Sequence, residues 1–314
     1  MAFLTPSPGC RVDSGPLPTE VKCHGGHELR READDFSFQI RKLPFSFAHH
    51  FDRLPMTDLR LLSLDFDGTM IAPWEGDRAA ISQSLVDHLR LLRREGTIIA
   101  MNTGRTLELV DRALEFFPFR PDYALTTERE IYKANGSGWE PITEWNEECQ
   151  LSHDQLYRDA SELLAEIEAF LSNQTQARLH RESGRLVGVV AQDSPEMDGI
   201  ISYLDSQRKH VAEFSYQRNG IYLRFCHARF DKGSVLQGLQ ALLGIDPAET
   251  FAAGDNYNDL PMLRREIARH LACPVNSILE VKAAVREGGG YVADQVAGEG
   301  LVEALLRLSV EGRK

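Results

Sequence analysis

The sequence predicts an α/β protein, a doubly wound, Rossmann-like parallel sheet interrupted by a smaller inserted α+β domain. Three observations predict it. Short apolar runs at residues 61–64, 97–101, 123–126 and 250–253 alternate with helical periodicity, the rhythm of parallel strands buried on both faces. Three of those runs stop abruptly at small polar or acidic residues, as strands do when a ligand sits beyond their carboxyl ends. Between residues 149 and 226 the rhythm changes to αββαββ, and afterwards it resumes.

Taken in order, the first strand runs into Asp65-Phe66-Asp67-Gly68-Thr69. From Ile81 a helix is expected with Ile81, Leu85, Leu89 and Leu92 on one face and Gly96 as its C-terminal stop. Strand 97–101 ends in Asn102-Thr103-Gly104-Arg105. Helix 106–116, strand 123–126 behind Pro121 and a hairpin over 131–142 follow. A helix beginning near Ser152 should turn Leu156, Leu163, Leu164, Ile167 and Phe170 inward. Strands 177–180 and 185–191 come next, then a helix opened by Ser194-Pro195 and carrying Met197, Ile200, Ile201 and Leu204. Strands 211–216 and 221–226 join through Arg218-Asn219-Gly220. The second of these puts Ile221, Leu223 and Phe225 on one face. Tyr222 and Arg224 lie on the other, where they either look towards a site below or face solvent. Helix 232–243, strand 250–253, helix 258–267, strand 270–273, helix 277–287, strand 291–293 and helix 299–308 complete the pattern. The expected division is a core of 58–148 and 227–314, an insert of 149–226, and a poorly ordered extension of 1–57 rich in Pro, Gly, His and charge.

Composition narrows the function classes. The 314 residues suffice for two domains, 42% hydrophobic content is that of a water-soluble chain, and no apolar run approaches a membrane span. Thirty-five basic residues against 47 acidic ones give a net charge of −12, and the basic ones are scattered, which argues against nucleic-acid or anionic-membrane binding. Five widely spaced cysteines and a start without a basic, apolar leader point to reduced thiols in a cytoplasm. Cys23, His24 and His27 lack a second ligand pair at zinc-site spacing and read as incidental.

Chemistry gathers where strands end. Asp65 and Asp67, two apart in an extended segment, can share one small volume, and their repulsion is relieved by a divalent cation or a shared proton. A plain acidic turn is the alternative for this stretch alone. Further on, Gly254-Asp255-Asn256-Tyr257-Asn258-Asp259 places Asp255, Asn258 and Asp259 at i, i+3 and i+4, on one side of a first helical turn if a helix starts near Asp255. With Asp65 and Asp67 it supplies the hard oxygen donors that Mg²⁺ prefers. Asp231 suits an N-cap, so Lys232 and the free amides of that helix can meet an anion together, and Thr103 and the Gly104 amide add neutral donors. A salt bridge from Lys232 to Asp259 or Asp255 is compatible with that use. An aspartate nucleophile, a cation and convergent donors are what phosphoryl transfer through an aspartyl-phosphate needs.

Four motifs in order, Asp65-Phe66-Asp67-Gly68-Thr69, Thr103-Gly104-Arg105, Asp231-Lys232-Gly233 and Gly254-Asp255 onward to Asp259, make the chain resemble a haloacid-dehalogenase (HAD) superfamily phosphohydrolase over residues 61–308. It is similar to the branch of Cof-type sugar phosphatases, sucrose-phosphate phosphatases and eukaryotic phosphomannomutases, with an α/β cap between the second and third motifs. The resemblance implies that Asp65 attacks phosphorus and that Asp67 protonates the leaving oxygen and then activates water. It implies Mg²⁺ held by Asp65, the Asp67 carbonyl and Asp255, with Asp259 behind them, and a phosphoryl group steadied by Thr103, Gly104, Lys232 and Asn258. One departure concerns the loop after the third strand. Where many relatives carry Asn-Gly-Ala, this chain reads Thr127-Glu128-Arg129-Glu130-Ile131-Tyr132, closer to the Gly-Thr-Glu-Ile-Tyr of the sucrose-phosphate phosphatases but with Arg129 replacing a small residue. Arg105 and Arg129 either reach the leaving group or pair with surface carboxylates, the second being the expectation.

The implied function is a Mg²⁺-dependent phosphatase for a small phosphorylated metabolite, a sugar phosphate by preference. The alternatives are a sugar phosphomutase using the same aspartyl-phosphate and a non-catalytic phosphosugar-binding protein. Met56 stands just before the first strand, so a chain started there would hold every motif. Removing residues 1–55 is expected to leave turnover nearly unchanged, as steady-state kinetics of the truncated protein would show.

Overall fold

The computed structural model describes residues 59–72, 81–207 and 211–311, with the side chains of 310 and 311 left aside. The expected disordered extension, Cys10, Cys23, His24 and His27 lie outside the described residues. Strand β1 (Leu61–Leu64) is fully buried and sends Leu62 and Leu64 into one apolar cluster and Leu61 into another, the period-2 alternation of a sheet covered on both faces. Around it lie β2 (Ile98–Asn102), β3 (Tyr123–Thr126), β10 (Thr250–Ala253), β11 (His270–Cys273) and β12 (Tyr291–Val292), all parallel. The hairpin β4 (Glu130–Asn135) and β5 (Gly138–Pro141) adds antiparallel strands at one edge, giving the order β12-β11-β10-β1-β2-β3-β4-β5.

Helix α1 (Gln83–Arg94), capped by the Ser82 side chain, buries Leu85, Val86, Leu89 and Leu92 on one face of that sheet, beside α2 (Leu107–Leu114) and α8 (Ala297–Glu311). The other face takes α6 (Lys232–Leu243), through Val235, Leu236 and Leu239, and α7 (Leu279–Glu287), through Val281 and Val285. Helices on both faces of a parallel sheet are the doubly wound architecture the sequence predicts.

A second sheet, β6 (Arg178–Glu182), β7 (Arg185–Val190), β9 (Tyr222–His227) and β8 (Phe214–Asn219), is wholly antiparallel. Helices α4 (Ser161–Gln174) and α5 (Ser194–Gln207) cover one of its faces around Ile167, Met197, Leu204, Leu223 and Phe225. Its chain is an insertion between β5 and α6.

Three expectations need correction. The helix placed near Ser152 is two: α3 (Thr143–Asp159) starts nine residues earlier, and a break at Ala160 separates it from α4. Its buried stripe is Cys149, His153 and Leu156, so polar residue types conceal the i, i+4, i+7 pattern. Strand 211–216 begins only at Phe214, because a turn closed by Phe214 N–H on the Val211 carbonyl precedes it. The helix expected at 258–267 is one 3₁₀ turn, Tyr257–Asp259, followed by irregular turns. Pro261 offers no N–H to extend a helical ladder, and the Asp259 side chain takes the amides of Asp255 and Asn256.

Gly188 lies in β7 where an added Cβ would come within 2.3 Å of the Leu223 carbonyl oxygen on β9. Gly188→Ala should therefore destabilise the insert by about 1–3 kcal/mol, measurable as a shifted urea midpoint.

Candidate active site

The register of the sheet brings three strand ends together. Leu64 pairs with Met101 of β2 and Ala253 of β10, so Asp65, Thr103 and Asp255 leave adjacent strands at one edge. The Asp65 amide donates to the Ala253 carbonyl at 3.0 Å, which holds the two acidic segments side by side. After Asp65 the chain folds back, with the amides of Met70 and Ile71 donating to the Phe66 carbonyl. Gly68 has φ +86°, and a Cβ there would lie 2.4 Å from Asp255 Oδ2, so both the turn and the close approach require glycine. Thr69 Oγ1 donates to Asp255 Oδ1 at 3.2 Å.

The first turn of α6 delivers Lys232 into this edge. Asp231 accepts from the Ser234 amide at 2.7 Å, and Ser234 Oγ accepts from the Asp231 amide, fixing the helix start. Asn102 Nδ2, at the end of β2, donates to the Lys232 carbonyl at 3.0 Å. The ammonium is fully buried and donates to Asp65 Oδ1 and Asp259 Oδ1, each at 2.6 Å. Burial alone would push Lys232 down, but Asp259, Asp65 and Glu128 more than reverse it, so the side chain stays charged.

One ammonium does not balance this cluster. Carboxylate oxygens of Asp65, Asp255 and Asp259 lie within 4.8 Å of one another. Burial raises Asp65 well above the usual carboxylate range, Lys232 opposing and Asp259 and Asp255 reinforcing the shift. Burial, then the Asp259 charge, pushes Asp255 up to about 7. A close set of hard oxygens whose burial and mutual repulsion hold back ionisation fits a divalent cation. Asp259 has its oxygens engaged already, Oδ1 by Lys232 and Oδ2 by the amides of Asp255 and Asn256 at 2.8 and 2.9 Å, which suits a supporting place rather than direct ligation.

Thr103 is buried, with Oγ1 accepting from the Arg105 amide at 3.2 Å, and Gly104 beside it is exposed. Asn258, also buried, donates from Nδ2 to Glu128 Oε1 at 2.6 Å, and its Oδ1 has no partner among the described residues. Asp67 turns to Arg105, whose Nε and a terminal nitrogen hold its two oxygens at 2.6 Å each in a fork that also lies over the Phe66 ring. The expected pairing of Arg105 with a surface carboxylate is thereby corrected: its partner is a site carboxylate, and Arg105 itself is buried because Phe66 and the start of α2 enclose it.

Arg129 makes no ion pair with any described residue and lines a cavity of about 310 Å³ with Gln150, His153, Tyr157, Glu182 and Arg224. Arg224 bonds Glu182 at 3.2 Å. Tyr222 is 43% exposed, so of the pair on that strand face only Arg224 reaches this cavity. His153 is neutral: burial, then Arg129, pushes it down to about 4, and its Nε2 accepts from the His227 amide.

Sequence reasoning missed Glu128 as a site residue. It is buried, and burial raises its carboxyl against the pull of Lys232 and the Asn258 hydrogen bond. Thr127 and Glu128 have φ of +49° and +64°, left-handed values that cost on the order of 1–3 kcal/mol each outside glycine. No local signal marked it, because neither threonine nor glutamate is a residue type that favours a left-handed backbone.

Comparison with known proteins follows the same lines. The profile of the family "Sucrose-6F-phosphate phosphohydrolase" matches residues 58–306. YxeH of Bacillus subtilis strain 168, which carries a provisional phosphatase name, is 26% identical over 231 residues, 65% of this chain and 83% of that one. A solved sucrose-phosphatase of Synechocystis sp. PCC6803, in complex with sucrose and phosphate, superposes with a TM-score of 0.59 at 21% identity, covering 81% of this chain and 98% of that one. BT1666 of Bacteroides thetaiotaomicron, described among phosphatases of the HAD superfamily, gives 0.53 at 17% identity, covering 80% and 96%.

Asp255 yields a stability prediction. Its folded pKa lies above the unfolded value of 3.8, so the stability it contributes is full below that value and is lost as pH rises through about 7. Metal-free protein should lose melting temperature across that window, Asp255→Asn should flatten the loss, and added Mg²⁺ should restore most at the alkaline end. Thermal scans from pH 4 to 8 with and without Mg²⁺ check this.

Proposed function

The chain belongs to the sucrose-6F-phosphate phosphohydrolase family of HAD-like hydrolases, and on that premise we propose that it hydrolyses a small phosphorylated metabolite, a sugar phosphate, with Mg²⁺ and through an aspartyl-phosphate on Asp65. The observation that carries the reading is the buried Lys232 bonded at 2.6 Å to both Asp65 and Asp259 beside Asp255. Lys232 opposes the burial that raises Asp65 and so favours its carboxylate form, and it puts positive charge where a transferring phosphoryl group needs it.

In this reading Asp65 attacks phosphorus in line with the leaving oxygen. Thr103, the Gly104 amide, Lys232 and Asn258 hold the equatorial oxygens. Asp65, the Asp67 carbonyl and Asp255 would hold the cation, which when bound offsets negative charge on nucleophile and phosphate, and Asp259 orients Asp255 and Lys232 behind them. Asp67 delivers a proton to the leaving oxygen and then takes one from the attacking water. Arg105 aims that carboxyl, and one of its two bonds gives way when the leaving group arrives. The leaving group extends towards the cavity of Arg129 and Arg224, whose side chains suit hydroxyl-rich molecules. The fold shared with a structure that holds sucrose and phosphate supports a sugar leaving group.

Phosphate release from a panel of sugar, polyol and glycerate phosphates with Mg²⁺ tests the proposal. At least one ester should turn over without a bisphosphate primer, and a strict need for a primer would mark a mutase. Asp65→Asn should cut the rate by roughly 10³-fold or more while circular dichroism stays unchanged, and retained turnover would remove Asp65 from the role.

A further inference from the structure

We propose that Glu128 is a resident rival of the phosphoryl group, a specificity-determining carboxylate that occupies the Asn258 donor until a substrate with leaving-group contacts displaces it. The inference rests on the donor assignment made under Proposed function. Three backbone hydrogen bonds clamp the loop: Thr127 N–H to the Arg105 carbonyl at 2.9 Å, Glu128 N–H to the Thr103 carbonyl at 3.1 Å, and Arg129 N–H to the Thr126 carbonyl at 3.0 Å. Two of them land on the residues flanking Gly104, so the left-handed Thr127-Glu128 pair is held against the turn that supplies phosphate donors. From there the Glu128 side chain folds into the site. Its Oε1 lies 2.6 Å from Asn258 Nδ2 and 3.2 Å from where a Cβ on Gly104 would stand.

The charged groups facing it are Lys232 and Arg224, which attract it, and Asp259, which repels it. The carboxylate thus bonds Asn258 directly, stands beside Gly104 and lies in the field of Lys232, so it holds one of the groups assigned to the phosphoryl oxygens and crowds the space beside two more. Two anions cannot share buried donors at full charge, because repulsion between them is weakly screened there. Every phosphoryl ligand must therefore shift Glu128 aside. Free phosphate makes only the phosphoryl contacts and meets this opposition in full, whereas an ester offsets it with contacts in the cavity of Arg129 and Arg224. The result is weak product inhibition and discrimination in favour of esters that fill the cleft.

A buttress for Asn258 would use the same hydrogen bond but with the opposite consequence, since neutralising it would loosen a donor and weaken phosphate binding. The test is calorimetric titration of the full-length protein with inorganic phosphate in the presence of Mg²⁺. Glu128→Gln keeps an acceptor for Asn258 while removing the charge, and Glu128→Gly removes the side chain where glycine accepts the backbone angle. Both variants should bind phosphate at least tenfold more tightly than the wild type, with product inhibition strengthened in parallel. Phosphate affinity that is unchanged or weaker in both overturns the proposal. Wild-type protein that binds phosphate yet releases none from any ester would sink the phosphatase reading, and the binding comparison would still judge Glu128.

Discussion

A fully buried ammonium bonded to two carboxylates is the constraint on which this molecule turns. An unpaired charge in the position of Lys232 would be expelled or neutralised, so the fold has to bring both Asp65 and Asp259 to it. That requirement fixes more than one bond. Asp65 ends β1, Asp259 follows the strand beside it, and Lys232 opens a helix whose start is pinned by its own cap and by Asn102 from the strand on the other side. Sheet order and active-site chemistry are two descriptions of the same contacts.

The second ionic contact has a different character. Arg105 grips Asp67 where the carboxyl is 37% exposed, open to an incoming ligand, whereas the lysine centre is closed. Asp65 is thus set in a desolvated frame and Asp67 at a more accessible margin. The insert reaches the same margin. The turn between its last two strands docks on the loop carrying Asp255, with the Gly220 amide donating to Asn256 Oδ1 at 3.1 Å and the Arg218 guanidinium 4.4 Å from the Tyr257 ring centre. The loop that crowds the carboxylates is therefore supported from the insert as well as from the core, and movement of one is felt by the other.

Much of this was legible beforehand where local physics sufficed. Strands such as β1, β2 and β10 declared themselves as apolar runs that stop at polar residues, and α6 by its aspartate cap. Where a side chain competed with the backbone, reading failed. Residues 258–267 have apolar spacing compatible with a helix, but Asp259 spends its carboxylate on the preceding amides and Pro261 breaks the ladder, so the chain turns instead. The start of α3 was hidden for another reason, because its buried stripe is made of Cys149 and His153, which periodicity arguments count as polar.

The sequence by itself determined which residues can do chemistry and at which strand ends they stand, because motif residues and strand alternation are local properties carried by neighbours in the chain. Only the tertiary structure decided who meets whom. Arg105 turned to Asp67 rather than to the surface, Arg129 was left without an ionic partner among the described residues, and Glu128 entered the site through a left-handed loop. Those outcomes depend on distances between segments remote in sequence and on which charges burial leaves unbalanced, quantities that exist only once the chain is packed.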